Sequence, residues 1–238
     1  MSIEVTCTVW VRSFVSFSVM ISVDFHCHTT YSGDSLIELP DLLRVCDRKG
    51  IQKLVITDHN TISGALKAME LAPDRFIIGE EILTQQGELL AIFLKEEIPA
   101  GLSPQATIDL LHAQGAFISV SHPFDALRHG HWRQADLVNI LPGIDAIEMY
   151  NSRCLLPRYN LNAIYFAQQH HLLGTVGSDA HSLQEVGAST LTLPDFDDAA
   201  SLKHSLAFAE PHTHMSAPWV HFSSRYANWR KRSIKSRD

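Results

Sequence analysis

The chain repeats one pattern: a short run of β-branched and apolar residues, a polar cluster, then a segment of helical character. "KLVIT" leads into "DHN", "FII" into "GEE", "FISV" into "SHP", "DAIEM" into "YNSR" and "GTV" into "GSDAH". The helical segments have readable ends. Pro40 sits in a first turn with Gly50 as the stop, and Ser103 caps a second helix with Pro104 inside it and Gly115 as its stop. Residues 155–171 and 195–208 fill the same role. Strands alternating with helices call for a parallel sheet with helices outside it. Each polar cluster lies at the C-terminal end of a strand, and closing the sheet into a barrel gathers those ends around one mouth. An open sheet would spread them along a line. With 238 residues, 45% of them hydrophobic, the chain can bury one such core. The reading is an α/β, single-domain barrel without an internal boundary.

The first twenty residues are apolar but fail as a signal or membrane segment. Glu4 and Arg12 interrupt them, serines recur at 13, 16 and 18, and no small-residue cleavage pattern follows. From Val15 to Phe25 the apolar residues fall on odd numbers, which is strand periodicity; Met20 is an alternative start that would leave a leader before it. Four cysteines, Cys7, Cys27, Cys46 and Cys154, show no C-x-x-C pair, so neither a disulfide framework nor a zinc ribbon is expected and a reducing, cytoplasmic setting is. The net charge of -7 argues against general nucleic-acid affinity. From Arg225 to Asp238, however, six basic residues face one acid, which leaves -12 on the rest of the chain. The plainer expectation for this tail is a solvated terminal helix; the sharper one is a polyanion-binding arm.

Fourteen histidines are an unusual number for a residue with so few uses. In "VDFHCHTTYSGDS", strand alternation puts Asp24, His26 and His28 on one face and Val23, Phe25 and Cys27 on the other. A single H-x-H pair is weak. The signal strengthens because later clusters offer ligands of the same kind: Asp58 with His59, Glu80 with Glu81, His122, then Asp179 with His181. Imidazole nitrogen and carboxylate oxygen without thiolate suit catalytic zinc, manganese or iron.

The ordered set "DFHCHTTYSGDS", "ITDHN", "GEEI", "SHP" and "GSDAH" resembles the motifs of the polymerase and histidinol phosphatase (PHP) family of metal-dependent phosphoesterases. The resemblance implies a distorted (β/α)7 TIM-like barrel over residues 21–210, with residues 1–20 as an N-terminal extension and 211–238 as a C-terminal one carrying the basic tail. It implies two or three divalent ions, Zn, Mn or Fe, at the mouth. Carried over by motif, His26, His28, Glu81 and Asp179 hold the first ion. Glu81 bridges to a second held by His122, whose final ligand is left open between Glu148 and Asn151. His59, His181 and Asp34 hold a third, although relatives read Ser-Asp-Gly where this chain has Ser32-Gly33-Asp34. Glu80 is a neighbour of the site, not a ligand.

The implied activity is hydrolysis of phosphomonoesters or phosphodiesters of small metabolites or nucleotides by metal-activated hydroxide. An exonuclease on short oligonucleotides and an amidohydrolase-type enzyme are the alternatives. Two further residues are assigned to the chemistry. Arg153, after the "IEMY" strand, would clamp phosphate oxygens, with Arg128, His129 and His131 in a similar position. Asp58 would orient an imidazole or donate a proton to the leaving group, and Asp24 would have a similar orienting part. The partner expected is a small phosphorylated substrate, with a short oligonucleotide as the alternative and no membrane.

Overall fold

The computed structural model describes residues 19–235. The early strand periodicity from Val15 and the expected extension over 1–20 fall almost wholly outside the described residues. Within them β1 (Met20–Cys27) is followed by α1 (Leu39–Lys49), β2 (Lys53–Ile56), α2 (Ser63–Leu71), β3 (Phe76–Leu83) and β4 (Glu88–Ile92). Then come α3 (Pro104–Gln114), β5 (Phe117–Val120), α4 (Gln134–Ile140), β6 (Ala146–Asn151), α5 (Pro157–His170) and β7 (Leu173–Gly177). The chain ends with β8 (Ser189–Pro194), α6 (Ala199–Ser205), β9 (Glu210–Thr213) and α7 (Val220–Lys235).

The helix ends form where the local chemistry puts them. Pro40 lies in the first turn of α1 and Gly50 adopts the left-handed conformation at its end, φ 66°, which costs glycine nothing. Ser103 accepts from Ala106 N–H to cap α3. The expected run over 195–208 is shorter: Asp198 and Ser201 form a capping box that starts α6 at Ala199.

The strands join in the order β7-β6-β5-β4-β3-β2-β1-β8-β9. The sheet nearly closes into a barrel, because the C-terminal end of β1 also meets the chain just after β7. Cys27 bridges Ala180 in parallel, Asp179 N–H donates to His26 C=O at 2.7 Å and His28 N–H to Ala180 C=O at 2.9 Å. The N-terminal half of β1 pairs instead with β8, antiparallel. The sheet is not all parallel: β4 runs antiparallel to both β3 and β5. The strand of "FII" continues through "GEEIL" and turns back at Thr84–Gly87, where Thr84 accepts from Gly87 N–H and donates to Gly87 C=O. That hairpin carries β4, so the polar pair Glu80 and Glu81 lies inside a strand, not after one.

Three apolar clusters support the mouth. Val23, Phe25, Leu191, Leu193 and Phe196 pack on one side of β1, and Leu42, Val45, Leu54, Ile56 and Ala65 fill the space under α1 and α2. The third joins Ile82, Leu89 and Val120 to Ile108 and Phe166 of the outer helices. The last strand of the barrel approaches β1 closely through Gly177, where an added Cβ would collide with His26 Cβ and Glu148 Oε1. Gly177→Ala should therefore lower stability by about 1–3 kcal/mol through overpacking, read as a lower denaturant midpoint; an unchanged midpoint would mean that β1 and β7 are not held this tightly.

Candidate metal centre

Alternation along β1 and its closure against the end of β7 point His26 and His28 into one space, with their Nε2 atoms 3.0 Å apart. Each ring is fixed from behind. His26 Nδ1 meets Glu148 Oε1 at 2.9 Å, and His28 Nδ1 meets Ser32 Oγ at 3.1 Å. Both Nε2 atoms are thereby left facing Glu81 and Asp179. His26 Nε2 lies 3.4 Å from Glu81 Oε2 and 3.6 Å from Asp179 Oδ1, and His28 Nε2 is 3.3 Å from each of the same two oxygens.

Four ligands placed tetrahedrally about 2.1 Å from an ion stand about 3.4 Å apart, and the four imidazole–carboxylate separations, 3.3 to 3.6 Å, match that spacing. Glu81 Oε2, Asp179 Oδ1 and Asp34 Oδ1 are buried without a hydrogen-bond partner. Buried oxygens of this kind require a cation or a proton. The donor set, nitrogen and oxygen without sulfur, fits a divalent ion.

The remaining imidazoles adjoin this group. His59 Nδ1 is 3.0 Å from Glu81 Oε2, while His122 Nε2 is 3.0 Å from Glu81 Oε1, so the two oxygens of Glu81 face different imidazole groups. On the outer side Asp34 Oδ2 is 3.0 Å from His181 Nε2 and 3.4 Å from His59 Nε2. All eight residues assigned as ligands from the sequence thus meet in one connected space. Two of them need the left-handed backbone near them: Asp179 itself and Asn60, beside His59, both have φ 53°. Asn60 holds its place by donating N–H to Glu81 C=O and accepting from Leu83 N–H.

The buried acids and imidazoles shift one another's titration. Burial works against the charged form of His26, but Glu81, Asp179 and Glu148 overcome it and hold the imidazolium well above its usual range. His28 is pushed down to about 3 by burial and by His181 and His59. Burial would raise Glu81, yet His26 and His59 hold it well below the carboxylate range; Arg128 and His26 do the same for Asp179.

Other assignments change. Arg153 lines the cleft as expected but is already paired there. It is buried to 4% exposure, its Nε lies 3.0 Å from Glu185 Oε1, and its Nη2 donates to Ser224 Oγ at 2.8 Å. Asp58 is also committed: its carboxylate accepts from Thr29 N–H and Thr29 Oγ–H, both at 2.6 Å, which pins the loop after β1. Asp24 likewise accepts from Ser178 and Gly187 and braces β1 against the loops after β7. Neither Glu148 nor Asn151 completes the second group. Glu148 backs His26 and accepts from His122 N–H, and Asn151 donates to Glu148 and Asp179.

Glu88 of β4 offers a carboxylate beside this group. Its Oε2 is 3.5 Å from His122 Nε2, and it forms a ligand group with His59 and Glu81. Burial and the nearby Glu81 raise it. The alternation of "GELLAI" was the available signal, hidden because β4 was not expected. Arg128 supplies the guanidinium nearest the centre, with Nη2 2.5 Å from Asp179 Oδ2, whereas His131 turns to Arg128 C=O. A cleft of about 440 Å³ opens above His59, His181, Asp34 and Glu88. No helix among the described residues is long and apolar enough to cross a membrane.

The sequence profile described as PHP domain matches residues 24–137, and a second, described as PHP-associated, matches 157–206. Two uncharacterized proteins of Methanocaldococcus jannaschii are related. One is 38% identical over 120 residues, 45% of this chain and 70% of the relative. The other is 35% identical over 170 residues, 70% of this chain and 68% of the relative. Among solved structures, a two-domain protein of Bacteroides vulgatus that contains a predicted PHP-like metal-dependent phosphoesterase superposes with a TM-score of 0.65. It is 20% identical, and the match covers 83% of this chain and 66% of that one.

Two outcomes test the geometry. Glu88→Gln should weaken the binding of one ion by tenfold or more, seen by titration with elemental analysis and with circular dichroism unchanged. Glu80 points the other way along β3, where Ile98 N–H donates to it and burial, helped by Glu97, pushes it up to about 7. Its contribution to stability is full below pH 4.5 and is lost as pH rises through 7. Under identical metal loading, Glu80→Gln should match the parent near pH 5 and exceed it near pH 8 by on the order of 2 kcal/mol, measured by denaturant midpoints.

Proposed function

Since this chain belongs to the PHP domain family of metal-dependent phosphoesterases, we propose that it hydrolyses phosphate esters of small metabolites or nucleotides at the centre formed by the strand ends. The observation that carries the reading is the set of buried, partnerless oxygens on Glu81, Asp179 and Asp34, aimed at five imidazoles beneath an open cleft. We assign His26, His28, Glu81 and Asp179 to one ion, Glu81, His122 and Glu88 to a second, and His59, His181 and Asp34 to a third. Ions held there supply Lewis acidity and lower the pKa of the attacking water.

The chain's own residues do the remaining work. Glu81, whose two oxygens face different imidazole groups, would contribute to holding both ions, and Ser121 Oγ–H donates to its Oε1 at 2.5 Å to fix its rotamer. Arg128 lies on Asp179 and also lines the cleft, where its guanidinium meets the oxygens of an entering phosphate. Asp58 works through Thr29, holding the loop that carries Ser32 and thus the His28 ring. The Arg153–Glu185 pair holds the wall of the cleft. Arg128 and Arg153 both line the cleft, and Arg128 is the one paired with a carboxylate of the centre itself.

The test is phosphate release from a panel of phosphomonoesters and dinucleotides by protein of known metal content. His26→Ala and Asp179→Asn should each lower turnover at least 100-fold and reduce the bound metal. Chelation should abolish activity, and one of zinc, manganese or iron should restore it. Full activity in either variant at undiminished metal content would refute the proposal.

A further inference from the structure

The helix α7 gives the cleft a wall that the barrel does not supply, and it is tied down at both ends. Near its start, Arg153 Nη2 donates to Ser224 Oγ at 2.8 Å and to Val220 C=O at 3.4 Å while Glu185 holds the guanidinium from below. Near its end, Lys231 Nζ donates to Thr30 C=O at 2.6 Å and to Ser32 C=O, in the loop that carries Asp34. Ala227 is buried against the barrel between these ties. Held this way, α7 places His221 and Arg225 in the lining of the cleft above the imidazole and carboxylate cluster, opposite Arg128 and His129.

These groups differ in their commitments. Arg128 is already paired with Asp179 and Asp125 and, in the proposed function, serves the reacting phosphate at the floor. Arg225 and His129 are exposed, and neither makes a hydrogen bond or ion pair among the described residues. The cleft therefore has two ends of opposite character. One is the acidic, histidine-rich floor, which needs cations; the other is a rim with an uncommitted guanidinium and imidazoles. A neutral substrate tail would gain nothing from that rim, whereas an anionic one gains a charge-assisted hydrogen bond.

We propose that Arg225, with His221 and His129, forms a second anion subsite for a negatively charged group remote from the reacting phosphate. The preferred substrates then carry two anionic groups. The inference rests on the phosphoesterase reading, which places the reacting phosphate at the floor.

Binding of non-hydrolysable probes to the metal-loaded full chain tests it without turnover. Calorimetric titration would compare propylphosphonate, propane-1,3-bisphosphonate with its longer homologues, and 4-phosphonobutanoate. At least one doubly anionic probe should bind tenfold or more tightly than propylphosphonate. Arg225→Ala should remove that advantage without changing the affinity for propylphosphonate, and Arg225→Lys should restore part of it. An advantage confined to bisphosphonates assigns the subsite to phosphate; one shared by the carboxylate assigns it to anions in general. Equal binding of all the probes, or an advantage that survives Arg225→Ala, overturns the subsite and leaves the phosphoesterase reading standing. Failure of propylphosphonate to bind at all overturns both.

Discussion

An unpaired carboxylate taken out of water costs several kcal/mol, and the mouth of this barrel buries Asp24, Asp58, Glu81, Glu148 and Asp179 together. The donors each one receives divide them into two groups. Asp24, Asp58 and Glu148 take backbone N–H, hydroxyl or amide donors, so their charge is spread into the structure that surrounds them. Glu81 and Asp179 each retain one oxygen that no donor reaches, as does Asp34 at the rim. Among these acids the oxygens left without a hydrogen-bond donor are the ones that face the imidazoles. The hydrogen-bonded acids act as scaffolding for those that are not.

The same arrangement links strain to closure. Asp179 and Asn60 occupy the left-handed region, uncommon for a residue with a side chain though easier for Asp and Asn than for others. The bonds that hold them are the ones that finish the barrel: Asp179 N–H to His26 C=O joins β1 to the end of β7, and Asn60 N–H to Glu81 C=O joins the end of β2 to β3. Backbone strain of about 1–3 kcal/mol per residue persists only where the surroundings over-determine it. Here the surroundings are the ligand-bearing strand ends, so the placement of the cluster and the closing of the sheet are one constraint.

How much of this the sequence discloses depends on whether a residue's role is set by local pattern or by distant neighbours. The convergence of His26, His28, His59, His122, Asp179 and His181 is legible because each lies at or just after a strand end, and strand ends share a mouth in any closed sheet; Glu81, inside β3, is legible by its motif. Helix limits at Pro40, Gly50, Ser103 and Gly115 are legible because capping is local. The antiparallel β4 is not, since a hairpin inside an otherwise alternating pattern breaks the rule that made the rest readable, and Glu88 was lost with it. Arg153 and Asp58 have the residue types and loop positions of catalytic groups. Their partners, Glu185, Ser224 and Thr29, are fixed only by the tertiary structure, and it is those partners that commit them elsewhere.

The wall of the cleft stands apart from this machinery in the sequence as well as in space. The two family profiles match residues 24–137 and 157–206. Arg153 falls in the interval between them, and α7 falls after the second, so the latch and the helix it holds lie outside both matches, although Glu185, which anchors the latch, lies inside. The barrel's ligands need not change for the wall to change. α7 lines the cleft above the centre, while the spacing of imidazoles and carboxylates is set by β1, β3 and the end of β7. The cluster held by closed strands and the wall held by an appended helix are therefore built from different parts of the chain, joined through Arg153 at one end of α7 and Lys231 near the other.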